Sequence, residues 1–166
     1  MSRSIYLVTH SQKDDGANPG LTPIGLSQAG LLRRQLPTNL KVIVCGTGKR
    51  HLAMSKALGL KPTRYSFIFG MPESKNRATN TVILADGTEV AYDLYTSVTD
   101  RADLFIKYVN LFPHLTAIIT SRSMVKLLMK EGDAKEAAIY RYQPETKALL
   151  EIFAASDDIG AGAKEV

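Results

Sequence analysis

Four short apolar runs, at residues 4–9, 42–45, 65–69 and 116–120, constrain the fold more than any other feature of the chain. Each is too short for a buried helix, is bounded by glycine, asparagine or other polar residues, and reads as a buried strand. Helical spacing fills the stretches between them. Thr22 can cap a first helix with Pro23 at its first position, where proline's missing N–H costs nothing, and Leu26, Ala29, Leu32 and Leu36 recur along it. Leu52, Met54, Ala57 and Leu58 mark a second helix, which Gly59 stops. Thr99 can cap a third, with Leu104, Tyr108, Leu111 and Phe112 on one face, and Met124, Leu127 and Leu128 belong to a helix behind the fourth strand. Strands that alternate with helices form βαβ units, whose crossovers leave the strands parallel. The expected fold is therefore an α/β three-layer α/β/α sandwich with a mostly parallel central sheet.

The rest of the chain fits around that sheet. Asp86-Gly87 lies between residues 81–84 and 88–92, a hairpin signal. Residues 137–142 and 148–153 read as a closing antiparallel pair around Pro144. Residues 1–153 make one expected domain, and the small, polar stretch 154–166 is expected to be a disordered tail.

Composition narrows the function. With 166 residues, 45% of them hydrophobic and 22% charged, the chain can bury a real core without staples. The lone cysteine, Cys45, cannot form an intramolecular disulfide and reads as a small buried residue. The chain opens with no secretory pattern and contains no run long enough for a membrane helix, so a cytoplasmic setting is expected. The net charge of +5 favours anionic partners. Its cations are scattered, however, with no basic tail or aromatic stacking motif, which argues against nucleic acid and suits a small phosphorylated ligand.

In parallel sheets ligands gather at the carboxyl ends of the strands. The residues there are Thr9, His10 and Ser11 after the first strand, Gly46 to Arg50 after the second, Glu73 after the third, and Ser121, Arg122 and Ser123 after the fourth. A histidine, two arginines and a carboxylate on one edge suit phosphoryl transfer. A neutral imidazole attacks phosphorus, guanidinium groups hold the oxygens, and a carboxylic acid protonates the leaving group.

His10, followed by Leu21-Thr22-Pro23-Ile24-Gly25-Leu26-Ser27-Gln28-Ala29, resembles the opening of the histidine phosphatase (phosphoglycerate mutase-like) superfamily, a strand ending in Arg-His-Gly and then Leu-Thr-Pro-x-Gly-x-x-Gln-Ala. Residues 46–55 follow the spacing of the family's Ser-x-x-x-Arg-Ala-x-x-Thr-Ala, with Arg50 at the arginine, and the likeness extends over residues 3–153. It implies His10 as the nucleophile, Arg50 as a phosphate ligand and Glu73 as the acid, with Asp93 as the alternative. The departures are equally definite. Thr9 replaces the first arginine, Ser11 the glycine, Gly46 the serine and Met54 the threonine, and Arg122 stands where the family has its second histidine. Losing the arginine at Thr9 removes a bidentate clamp, while Arg122 returns a positive charge.

The implied function is hydrolysis of a phosphomonoester through a phosphohistidine at His10. Arg50 and Arg122 would bind the phosphoryl oxygens, Thr9 and Ser11 would be possible donors, and no metal or organic cofactor would be needed. The alternative is a catalytically inactive domain that binds phosphate, sulfate or a partner. The substrate class is a small phosphorylated molecule or a phosphoprotein, its choice falling to the variable segment 70–96. The oligomeric state is not legible. His51 and His114 lack partners at metal-ligand spacing and read as structural or exposed. Gly46-Thr47-Gly48-Lys49 superficially suggests a nucleotide phosphate loop, but Ile43 occupies that loop's first glycine position and Arg50 its final Ser/Thr.

Overall fold

The computed structural model describes residues 2–15, 20–66, 68–70, 81–83, 89–91 and 98–155, and for 81–83, 89–91 and 98–101 the backbone only. The elements in order are β1 (Ile5–Thr9), α1 (Pro23–Arg33), β2 (Val42–Cys45), α2 (Lys49–Ala57), β3 (Arg64–Tyr65), β4 (Thr81–Ile83), β5 (Glu89–Ala91), α3 (Val98–Val109), β6 (Thr116–Thr120), α4 (Arg122–Lys126), β7 (Ala138–Gln143) and β8 (Ala148–Ala154). Six strands form a sheet ordered β3-β2-β6-β1-β7-β8. The first four of these run parallel, β7 runs antiparallel to β1, and β8 antiparallel to β7.

Strand alternation builds a core on each face of this sheet. Leu7, Val44 and Ile118 pack with Phe105 and Val109 of α3 and with Met124 and Val125 of α4. Their neighbours Val8, Cys45 and Ile119, with Ile139 of β7, pack with Ala29 and Leu32 of α1 and with Met54 and Leu58 of α2. The three-layer arrangement expected from the sequence follows from these two buried faces. All five residues of β6 are buried, as befits a strand covered on both sides.

Local signals hold at several element ends. Thr22 caps α1, its side chain accepting from the Gly25 N–H at 3.0 Å, with Pro23 next in line. Gly59 ends α2 at φ +69°, a conformation that favours glycine. In the closing pair, Ile139 lies opposite Phe153 and Tyr142 opposite Leu149.

Other expectations shift. The third strand is not residues 65–69 but the two-residue edge strand β3, both of whose side chains are exposed. Phe69 instead turns into the core against Phe105 and Phe112, so its hydrophobicity belongs to a turn rather than a strand. On α3 the buried residues are Phe105 and Val109, one position on from the Leu104 and Tyr108 read off the sequence; past its end Phe112 is buried and Leu111 is 65% exposed. Helix α3 begins at Val98, one residue before Thr99. Leu26 is 53% exposed, since α1 buries Gly25, Gln28, Ala29 and Leu32. Leu127 lies just past α4 and is exposed. Strands β4 and β5 pair antiparallel, with Val82 opposite Val90; the Asp86-Gly87 turn between them lies outside the described residues, as do segment 71–80 and residues 156–166, while Ala154 and Ala155, expected to open the tail, are buried, the first ending β8 and the second bonded to the Ala137 carbonyl.

Gly25 is the tightest point of this packing. A methyl group there would lie 2.2 Å from the Gln12 carbonyl oxygen, whereas one at Gly30 on the same helix would meet nothing within 4 Å. Gly25→Ala is therefore expected to destabilise the fold by on the order of 1–3 kcal/mol. Gly30→Ala should instead stabilise it by about 0.5–1 kcal/mol. Urea unfolding midpoints check both, and equal midpoints for the two variants would contradict the packing described.

Candidate functional site

Strands β1, β2 and β6 are parallel neighbours, so the residues that follow them meet along one edge of the sheet. His10 leaves β1 with its backbone bonded on both sides. Its N–H donates to the Thr120 carbonyl at 3.1 Å, and its carbonyl accepts from the Ala137 N–H at 3.0 Å. The next turn is clamped by the start of α1. The Gln12 N–H donates to the Gln28 side-chain oxygen at 2.9 Å, and the Gln12 carbonyl accepts from the Thr22 N–H at 3.0 Å. The Gln12 side-chain oxygen accepts from the Thr22 hydroxyl at 2.8 Å. With the Gly25 contact, these bonds give the residue 21–29 motif its physical role, which is to fix the loop that carries His10.

The His10 ring is 4% exposed. Its Nδ1 lies 2.9 Å from the Ser11 carbonyl oxygen. A carbonyl can only accept, so the proton is assigned to Nδ1, and the lone pair of the neutral ring then lies on Nε2. Burial lowers the pKa from 6.5 to about 4, against the opposing pull of the Ser11 bond; the positive charges of Arg50, Arg122 and Lys13 lower it further. The imidazole is thus neutral at physiological pH, the form a nucleophile requires.

Arg50, in the first turn of α2, is 4% exposed. Arg122 opens α4 and is exposed. Both act on His10 through their charge, which places them in its electrostatic neighbourhood. Thr9 and Ser11 are buried, and their hydroxyls have protein partners. Thr9 donates to the Lys135 carbonyl at 2.8 Å and accepts from the Ala138 N–H at 2.9 Å, joining β1 to β7. Ser11 points its hydroxyl at the Met54 sulfur, 3.5 Å away. Glu73 and Asp93 lie outside the described residues.

The sequence reading missed one member of this group. His51 follows Arg50, is fully buried, and sets its ring edge-on to His10 with centroids 5.6 Å apart and planes at 77°. Its Nε2 is hydrogen-bonded to the Ser121 hydroxyl at 2.8 Å. The available signal was positional, since His51 stands in the first turn of the helix that follows β2, at the same sheet edge. His114, by contrast, accepts from the Ser4 N–H at 2.9 Å, at the other end of β1. Cys45 is buried, which pushes its thiol pKa above the usual range. Among the described residues no three His, Cys, Asp or Glu side chains cluster to hold a metal.

Glycines set the shape of this edge. A methyl at Gly46, where the resembling family has serine, would lie 2.8 Å from the Gly70 Cα. The β2 end and the residue 69–70 turn are therefore in backbone contact, reinforced by the bond from the Thr47 N–H to the Gly70 carbonyl at 2.8 Å.

No family model and no curated protein matches the sequence. Solved structures do match in fold. A candidate alpha-ribazole-5'-P phosphatase from Escherichia coli K-12 superposes with a TM-score of 0.62 at 11% identity, over 92% of this chain and 96% of that one. The Rv3214 protein of Mycobacterium tuberculosis gives a TM-score of 0.60 at 16% identity, over 92% and 97%. A mycobacterial glucosyl-3-phosphoglycerate phosphatase gives 0.55 at 13%, over 85% and 90%. The chain thus shares the fold of these structures, a mixed α/β architecture on a six-stranded central sheet.

The lowered pKa of His10 makes stability depend on pH. Between pH 6.5 and about 4 the unfolded chain binds a proton at this ring that the folded chain does not. Stability therefore rises with pH across that window and is lost as pH falls through it, by on the order of 3 kcal/mol in total. His10→Gln should flatten this part of the profile. Urea unfolding of both proteins at pH 7 and pH 4.5 checks this, and parallel losses in the two would contradict it.

Proposed function

We propose that the protein hydrolyses a phosphomonoester through a phosphohistidine at His10. The observation that carries this reading is the state of that ring: buried, neutral down to about pH 4, and tied at Nδ1 so that Nε2 holds the lone pair. In the first step Nε2 attacks phosphorus and the bond to the ester oxygen breaks. The departing oxygen takes a proton from an acid, for which Glu73 and Asp93 are the candidates from the sequence. In the second step water attacks phosphorus, the N–P bond breaks, and inorganic phosphate leaves with His10 restored. Arg50, which is buried, and Arg122, which is exposed, both act on His10 through their charge and would bind the phosphoryl oxygens. Thr9 and Ser11 would contribute less, because their hydroxyls already have protein partners.

The substrate in this reading is a small phosphorylated molecule or a phosphoprotein, and the chemistry needs no metal or organic cofactor. Fold neighbours with phosphatase names support the class of reaction at the level of architecture. The free, buried cysteine fits the reducing, cytoplasmic setting that belongs to the same proposal. No helix among the described residues is long and apolar enough to cross a membrane.

A second reading, anion binding without turnover, is favoured by one observation. Where the resembling family clamps phosphate with an arginine, this chain has Thr9, whose hydroxyl is committed to joining β1 and β7. Hydrolysis of an aryl phosphate from pH 4 to 8 separates the two readings. Wild type should turn over, with its acidic limb near pH 4 rather than 6.5. His10→Ala should fall to background, and Arg50→Ala by about 10²–10³-fold. Background rates in wild type and His10→Ala alike, with inorganic phosphate still bound, would replace hydrolysis by the second reading.

A further inference from the structure

Ser121 stands at the N-cap of α4, where a serine side chain ordinarily accepts a bond from one of the helix's first amides. Here it makes no capping bond. Its hydroxyl is turned instead to Nε2 of His51, 2.8 Å away. The room for the His51 ring is made by backbone. A methyl at Gly70 would lie 2.5 Å from Cε1 and 2.6 Å from Nε2, and a methyl at Gly48 would lie 2.8 Å from Nδ1. The ring also meets His10 edge-on. One buried side chain thus lies against His10 just after β1, Gly48 just after β2, Gly70 at the end of its turn, and Ser121 at the junction of β6 with α4.

We propose that His51 and Ser121 are a positioning pair for the site. Their bond holds the first turn of α4, and with it Arg122, in register with Arg50 on α2, while the His51 ring sets the plane of His10. His51 lies next in sequence to Arg50 and Ser121 next to Arg122, so the pair links the backbone origins of the two arginines directly. Neither residue needs to touch the phosphoryl group, because both act through the placement of groups that do. The inference rests on the phosphatase reading and names how that site is held together.

The test uses the full chain, with an aryl phosphate as substrate and inorganic phosphate as the titrated ligand. Ser121→Ala and His51→Ala should each weaken phosphate binding and lower kcat/KM by about tenfold or more, since misplacement of about 1 Å can cost roughly a hundredfold. His51→Gln, whose side-chain amide can reach the Ser121 hydroxyl, should recover most of the loss. The double alanine variant should be little worse than His51→Ala, because both changes break the same bond. A merely structural role would lower the melting temperature and leave the phosphate affinity of the folded protein unchanged. Wild-type affinity in folded Ser121→Ala, or additive losses in the double variant, would overturn the pair. Ser121→Ala removes a single hydroxyl and carries the test if His51→Ala does not fold. A wild type that neither turns over nor binds phosphate would overturn the phosphatase reading itself, a result distinct from wild-type activity unchanged by the substitutions.

Discussion

The backbone of His10 is bonded to β6 on one side and to the residue before β7 on the other, and the turn after it is gripped by the start of α1. This double anchoring brings an imidazole out of water and holds it there. Burial is costly for a cation and cheap for a neutral ring, so the fold itself selects the neutral form. The Ser11 carbonyl then selects which nitrogen keeps the proton. Sequence, turn geometry and protonation state converge here on a single atom, Nε2.

Around that atom two of the three positive charges, those of Arg50 and Arg122, come from residues that begin helices, and the third comes from Lys13 in the loop after β1. Arg50 lies in the first turn of α2 and Arg122 is the first residue of α4, each just past the carboxyl end of a parallel strand. Such positions fix the backbone origins of both side chains relative to the sheet. Gly46, Gly48 and Gly70 are the complement of this design. They let backbone approach backbone and leave space for His51, where any larger residue would intrude. Two of the substitutions that set this chain apart from the family it resembles have a structural partner of their own. Glycine replaces serine at 46 where the chain meets Gly70, and threonine replaces arginine at 9 where a hydroxyl can join two strands.

Much of the fold was legible because it rests on local rules. Short apolar runs between amphipathic stretches imply a parallel sheet covered on both faces, and Thr22-Pro23 and Gly59 mark helix ends by capping and by backbone conformation. Phe69 was misread as strand because a buried turn and a buried strand look alike in a short apolar run. Leu111 was misassigned because α3 ends at Val109, so the helical spacing that would have turned it inward stops before it. In the candidate site, the places of His10, Arg50 and Arg122 after strands were legible, and the structure sets both arginines where their charge acts on His10. The position of His51 in the first turn after β2 was visible too, but its bond to Ser121, 70 residues away, is encoded by no local pattern.

The central claim is that His10 Nε2 forms a covalent bond to phosphorus during turnover. The most direct measurement is to quench the protein during reaction with a ³²P-labelled phosphomonoester and to map the bound label. A phosphoramidate on His10, stable to alkali and lost in acid, is the predicted result, absent from His10→Ala. Turnover in wild type with no label on His10, or with the label on another residue, would contradict it.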